Sequence, residues 1–212
     1  MEHILVTGGA GYCGSILIPD LLNNGYKVRV LDTLFFGNPF LNLNTNNLEV
    51  VKGDIRNQDT VKSALHNIDK VIHLACISND ASFELDENLS KTINYDAFEP
   101  LVLASKKMGV SRFVYVSSSS VYGVSEKKDV KEDHPLVPLT LYNKFKGLCE
   151  PVLLKHDDKN FCTTILRPAT VCGYGLRQRL DVSVNILTNL ALNTNQIRGF
   201  GGKQLRPNLH IK

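Results

Sequence analysis

No Cys-x-x-Cys pair occurs among the five cysteines of this 212-residue chain (Cys13, Cys76, Cys149, Cys162 and Cys172), and their number is odd. That disfavours a disulfide framework. Several of them lie in apolar runs, where they read as small buried hydrophobes in a reducing compartment. The six histidines show neither His-Glu-x-x-His spacing nor a cluster, so no metal is expected. No apolar run approaches membrane-spanning length, and a first strand begun by residue 4 leaves no room for a signal peptide. A cytoplasmic protein without a membrane partner is the expectation. Net charge is only +3, and no stretch combines dense Lys/Arg with interleaved aromatics. The Lys106-Lys107 and Lys127-Lys128 pairs read as solvated surface, and nucleic acid is not an expected partner. Internal repeats and low-complexity segments are missing as well.

What is present begins at once. Hydrophobic content of 43% and charged content of 21% are ordinary for a globular protein, and the length suffices for one sizeable core or one domain and part of another. The run Ile4-Leu5-Val6-Thr7-Gly8-Gly9-Ala10-Gly11-Tyr12-Cys13-Gly14 reads as a short apolar strand followed by a glycine-rich turn. Val28-Arg29-Val30-Leu31 then ends in Asp32, eighteen residues past Gly14. Glycines in such a turn let the backbone approach a pyrophosphate at the N-terminus of the next helix. An acid at the end of the second strand can accept hydrogen bonds from a ribose 2′-OH and would repel a 2′-phosphate. Gly9-x-Gly11-x-x-Gly14 in this context predicts a nicotinamide cofactor, NAD rather than NADP.

Strand and helix patterns alternate along the chain. Strands read at 3–7, 27–31, 48–51, 70–75, 112–118 and 162–167, and helices at 12–23, 57–67, 89–108 and 140–157. Gly25 and Gly109 stand where helices commonly end. Pro19 should kink the first helix without breaking it, because Leu17, Leu21 and Leu22 continue its apolar face. The expected fold is α/β, a doubly wound parallel sheet of the Rossmann type with order 3-2-1-4-5-6. The pattern changes after residue 175 to a loop, a helix at 182–194 and a short strand near 196–200. The implied division is a cofactor domain at 1–175 and the start of a substrate lobe at 176–212.

Two further segments carry chemistry. Arg112-Phe113-Val114-Tyr115-Val116 runs into Ser117-Ser118-Ser119-Ser120 and Val121-Tyr122-Gly123, placing hydroxyls at the carboxyl end of a strand, where ligands of open sheets bind. Tyr142 and Lys146 are four apart at the start of a helix, hence on one face. A free tyrosine, with a pKa near ~10, is a poor base at neutral pH. A nearby ammonium and the positive nicotinamide ring favour its phenolate, which can take a proton from a substrate hydroxyl while hydride leaves the same carbon.

On Thr7 to Gly14, Gly53-Asp54-Ile55-Arg56, His73-Leu74-Ala75-Cys76, Ser117 to Gly123, Tyr142 to Lys146 and Leu166-Arg167-Pro168-Ala169, the chain resembles the extended short-chain dehydrogenase/reductases. Within them it is similar to the NAD-dependent sugar-nucleotide epimerase/dehydratase branch. The resemblance implies Tyr142 as base, Lys146 on the nicotinamide ribose and Ser118 as the catalytic hydroxyl. It implies cofactor contacts from Gly8, Gly11, Tyr12, Cys13, Gly14, Asp32, Asp54, Ile55, Leu74, Ala75, Arg167 and Pro168, besides Tyr142 and Lys146. Ser118, Ser119 and Arg206 would meet the nucleotide-sugar, Arg206 gripping its diphosphate. His73 reads as a strand-end residue beside the cofactor rather than a base. Asn94 matches a recurrent asparagine and reads equally as a structural polar residue.

Dehydratases of this branch usually carry an Asp-Glu pair where this chain has Ser119 and Ser120, so the resemblance favours epimerisation or simple oxidation and reduction. The expected reaction is oxidation at a sugar carbon, C4 by expectation, with hydride returned to the opposite face. The family also continues well beyond the segment that here ends at Lys212, so the substrate lobe reads as incomplete. A second reading is therefore a truncated module that holds NAD without turnover. Pairing of the helices at 89–108 and 140–157 across a homodimer is the implied assembly.

Overall fold

Six strands, β1 (His3–Thr7), β2 (Lys27–Asp32), β3 (Leu48–Lys52), β4 (Lys70–His73), β5 (Arg112–Val116) and β6 (Cys162–Leu166), form one parallel sheet. Its order is β3-β2-β1-β4-β5-β6, the doubly wound order expected from the alternation. The structure is a computed structural model that describes every residue except Asn44, Lys128 and Phe200. Successive side chains of a strand face opposite sides, and here both sides are covered. Ile4, Val6, Val28 and Val30 pack with Ile18 of helix α1 (Gly14–Asn23) on one face. Leu5, Leu31, Val71, Phe113 and Tyr115 pack into the larger core on the other. That core receives Val61 and Ala64 from helix α2 (Gln58–Ala64), capped by the Asn57 side chain, which accepts from the Asp59 and Thr60 amides.

β4 leads into two one-turn helices, α3 (Asp80–Glu84) and α4 (Glu87–Lys91), neither of which the apolar pattern had marked in full. The helix expected over 89–108 is in fact α4, a π-turn (Thr92–Asp96) and α5 (Phe98–Lys107). Pro100 has no N–H to give the Asp96 carbonyl, so an unbroken α ladder is impossible there. Instead, the Ala97 amide donates five residues back to the Thr92 carbonyl at 3.1 Å. α5 and α6 (Leu141–Leu154) complete the larger core through Leu101, Val102, Cys149 and Leu153. α1 runs through Pro19 without interruption.

Several boundaries move inward. β4 stops at His73 rather than 75, and β5 at Val116 rather than 118, because the chain then leaves the ladder to enter the cleft. α2 ends at Ala64 and α6 at Leu154. The last part holds β7 (Thr170–Cys172), α7 (Ser183–Thr194) and β8 (Asn208–His210), with β7 and β8 paired in parallel as a separate small sheet. The strand expected near 196–200 is not formed at 196–199, and Phe200 lies outside the described residues, as does Lys128 of the Lys127-Lys128 pair. The partner of β7 lies a dozen residues further on, in the Asn208-Leu209-His210 segment. No helix among the described residues is long and apolar enough to cross a membrane.

Candidate active site

The glycine turn brings three chain segments into near contact. Gly8 has φ +70°, and a Cβ there would lie 2.5 Å from the Cα of Ala75. A Cβ on Gly14 would lie 2.1 Å from the Gly9 carbonyl oxygen. Only glycine permits these approaches. The Gly11 amide donates to the Gly8 carbonyl at 3.1 Å, closing the turn before α1. Cys13 holds the N-cap position without covering an amide by its side chain, which leaves the electropositive helix end open to an anion. At the end of β2, Asp32 accepts from the Ala10 amide at 3.1 Å and the Leu34 amide at 2.8 Å. Its carboxylate is thus pinned beside the turn, where it can meet a ribose. These residues fit a dinucleotide.

The other expected cofactor residues divide. The Leu74 amide donates to the Thr7 carbonyl at 2.9 Å, setting Leu74 and Ala75 against the turn. The Asp54 carboxylate is occupied by Arg56 at 2.6 Å, and Ile55 is a core residue. The Tyr12 hydroxyl donates to the Gly173 carbonyl at 2.7 Å, so its ring ties the turn to the segment after β7. Arg167 is committed to Glu150 at 2.6 Å, to the Tyr122 hydroxyl and to the Glu132 carbonyl, while the Pro168 carbonyl accepts from the Ser119 amide. Arg206 lies exposed before β8.

At the carboxyl end of β5 the serine segment meets α6, the helix that carries Tyr142 and Lys146. Tyr142 and Lys146 share a face of α6, whose N-cap Thr140 accepts from the Asn143 amide at 3.3 Å. The Lys146 ammonium is buried and donates to the Val116 carbonyl at 2.8 Å, two residues before Ser118. Ser120 donates to Asn143 Oδ1 at 2.5 Å. With that proton spent, the 2.6 Å contact between Ser118 and Ser120 requires Ser118 to be the donor. Ser118 is thereby two hydrogen bonds from the neighbour of Tyr142. Asn143 carried no expectation from sequence, although Thr140-x-x-Asn143 is a helix-start pattern that marks it.

In the chain without a cofactor the phenol of Tyr142 is pushed up, chiefly by burial and then by Cys76, with Asp80 and Cys13 acting the same way; the lowering expected from Lys146 was to be shared with the nicotinamide ring of bound NAD. Arg179 is a cation that opposes these upward effects. Lys146 instead faces the Val116 carbonyl and the Tyr115 ring, 5.1 Å from its centroid. His73 behaves as expected of a strand-end residue. Burial and the charge of Lys146 hold it down to about 3, and its Nδ1 meets Thr7 Oγ1 at 2.7 Å. Asn94, in the π-turn, brackets Ile77, accepting from its amide at 2.8 Å and donating to its carbonyl at 2.9 Å, which is the structural reading.

A parallel sheet of Rossmann order with a glycine-rich first turn, a Ser at the end of β5 and a Tyr and Lys on one face of α6 defines a dinucleotide-binding fold of the short-chain type. Residues 4–212 match the NAD dependent epimerase/dehydratase family, and the chain belongs to that family. It is 34% identical over 179 residues to UDP-glucose 4-epimerase of Bacillus subtilis, covering 77% of this chain and 51% of that protein. It is 33% identical over 185 residues to a 3 beta-hydroxysteroid dehydrogenase/Delta 5→4-isomerase of Mycobacterium tuberculosis, covering 82% and 48%. The solved structure of MoeE5 in complex with UDP-glucose and NAD superposes with TM-score 0.85 at 31% identity, covering 99% of this chain and 68% of that one. The chain spans about half the length of the curated relatives it matches. The expected cofactor, NAD, agrees with the family.

Proposed function

We propose that this chain is the cofactor-binding and catalytic part of an NAD-dependent epimerase, or dehydrogenase, acting on a nucleotide-sugar through a transient keto form. The observation that supports this reading is that α6, which carries Tyr142 and Lys146 on one face, meets the end of β5 through the Lys146–Val116 bond and the Ser118–Ser120–Asn143 relay. Gly8, Gly11, Gly14 and Asp32 would hold the cofactor by its diphosphate and ribose, and NAD, when bound, accepts a hydride and can return it. Tyr142 takes the proton of the sugar hydroxyl. Ser118 donates its hydrogen bond to the oxygen as it becomes a carbonyl, in place of Ser120, and Lys146 orients the ribose. Ser119 and Ser120 supply no carboxylate beside Ser118, so elimination of water is not the favoured outcome. Residues 1–175 form the cofactor domain in this reading, and 176–212 begin the substrate lobe, where Arg206 would meet the diphosphate. Apolar residues left open on α5 and α6, Leu103, Leu148 and Leu154, with Met108 just after α5, suit a homodimer.

The reading is tested by adding UDP- and dTDP-sugars to the protein with NAD and following the reduced-nicotinamide absorbance, with Tyr142→Phe as control. Transient reduction in the parent and none in the control is the expected result; equal traces sink the assignment. A second reading, oxidation of a 3β-hydroxysteroid, is favoured by the comparable identity to the mycobacterial dehydrogenase. The same assay with such a sterol separates the two. NAD binding by calorimetry with no response to either class of substrate favours the non-catalytic module.

A further inference from the structure

We propose that Arg179 is a positioning residue for the proton step at Tyr142, its guanidinium fixed at the wall of the cleft by Ser78 and Asp181 and linked to the start of α6. This rests on the epimerase or dehydrogenase reading above. Arg179 lies on the segment 173–181, a strap that follows β7 and lies across the glycine turn. Asn185 holds the strap in shape: its Oδ1 accepts from the Gly173 amide at 2.8 Å, and its Nδ2 donates to the Arg179 carbonyl at 2.9 Å and the Tyr12 hydroxyl at 3.2 Å.

From this frame the guanidinium reaches inward. Its Nη2 donates to the Ser78 carbonyl at 3.0 Å and its Nε to Asp181 Oδ1 at 2.9 Å. The second Asp181 oxygen also accepts from Asn79 at 2.7 Å. Asn79 caps α3 by accepting from the Ser82 amide, and the next residue, Asp80, accepts from the hydroxyl of Thr140 at 2.5 Å. Thr140 is the N-cap of the helix that carries Tyr142 and Lys146. One chain of polar contacts therefore runs from the strap, through the start of α3, to the first turn of α6.

The charges around Tyr142 make Arg179 the informative member. Cys13 faces it from the start of α1, Cys76 from the loop after β4, Asp80 from α3 and Arg179 from the strap, while Lys146 shares its helix. The carboxylate, and the two cysteines once ionised to thiolates, disfavour a phenolate, and the guanidinium favours it. The Asp181 side chain is 43% exposed, so water screens its charge, whereas that of Arg179 is 19% exposed. An opposite charge counts for most where water is excluded.

The experiment follows the tyrosinate absorbance against pH, with and without NAD, in the parent, Arg179→Gln and Arg179→Lys, each as its difference from the matching Tyr142→Phe form. Arg179→Gln is expected to move the Tyr142 ionisation upward by about one unit, and Arg179→Lys to stay with the parent. Gln and parent titrating together overturns the proposal, and so does Lys moving with Gln, since lost packing would affect both alike. Circular dichroism and NAD affinity identify the folded variants. If only the Lys form folds, its titration with the parent supports the proposal and an upward shift overturns it. No sugar is needed for this readout, so failure to turn over any nucleotide-sugar counts against the proposed function and leaves the result on Arg179 standing.

Discussion

Thr7 and His73, 66 positions apart in the chain, meet at 2.7 Å where β1 and β4 reach the cleft. The imidazole is buried against Phe98, Phe113 and Tyr115, its charged form disfavoured by burial and by Lys146. It stays neutral down to about pH 3, below the ordinary histidine value of 6.5. Between those values the unfolded chain binds a proton that the folded one refuses, so stability falls as pH falls, by up to about 1.4 kcal/mol per pH unit. Urea unfolding at a series of pH values should show this slope reduced in His73→Asn. Parallel slopes in the two proteins would contradict it.

Asp32 is held by two backbone amides at the end of β2. Asp32→Asn keeps acceptor capacity but removes the charge. The ratio of NADP to NAD affinity, measured by calorimetry, is expected to rise at least about tenfold, the equivalent of roughly 1.4 kcal/mol. An unchanged ratio would mean that the carboxylate does not face the ribose.

Gly14→Ala places a methyl 2.1 Å from the Gly9 carbonyl, a contact that no rotamer relieves because both atoms are set by the backbone. A loss of about 3 kcal/mol in unfolding free energy is expected, together with weakened NAD binding. Gly25→Ala is the comparison: it meets nothing within 4 Å but has φ +83°, so it strains only the backbone and should cost less.

Glu150 is 2% exposed and its carboxylate is shared by Arg167 and the Ser117 hydroxyl, at 2.6 Å each. Arg167→Met strands that buried charge and should cost about 3–5 kcal/mol. Adding Glu150→Gln should return much of it. Additive losses in the double variant would argue that the pair is not coupled.

Ser118→Ala should lower kcat by about a hundredfold or more if its hydroxyl steadies the forming carbonyl, with NAD affinity retained. Ser120→Ala removes the relay to Asn143 and should have a smaller effect. The order of the two effects is the check, read in the nicotinamide absorbance assay.

The alternation of apolar runs with helical periodicity was enough to specify the sheet order, because right-handed crossovers leave few ways to thread parallel strands. The glycine spacing and Asp32 were equally legible, since backbone clearance and a carboxylate at a strand end are local properties. The break in the helix over 89–108 was not read, although Pro100 stood in view, because a π-turn depends on where Asn94 must point. β8 was missed for a related reason: three exposed residues become a strand only when β7 lies beside them.

Sequence by itself determined the cofactor turn, the sheet and the spacing of Tyr142 and Lys146 on one helical face, all set by neighbours a few residues apart. Tertiary structure decided what those groups face. Lys146 turns to a backbone carbonyl, burial raises the phenol of Tyr142, and an opposing charge arrives from Arg179, 37 positions after that tyrosine. Electrostatic influence follows distance and exclusion of water, and only the folded chain sets both.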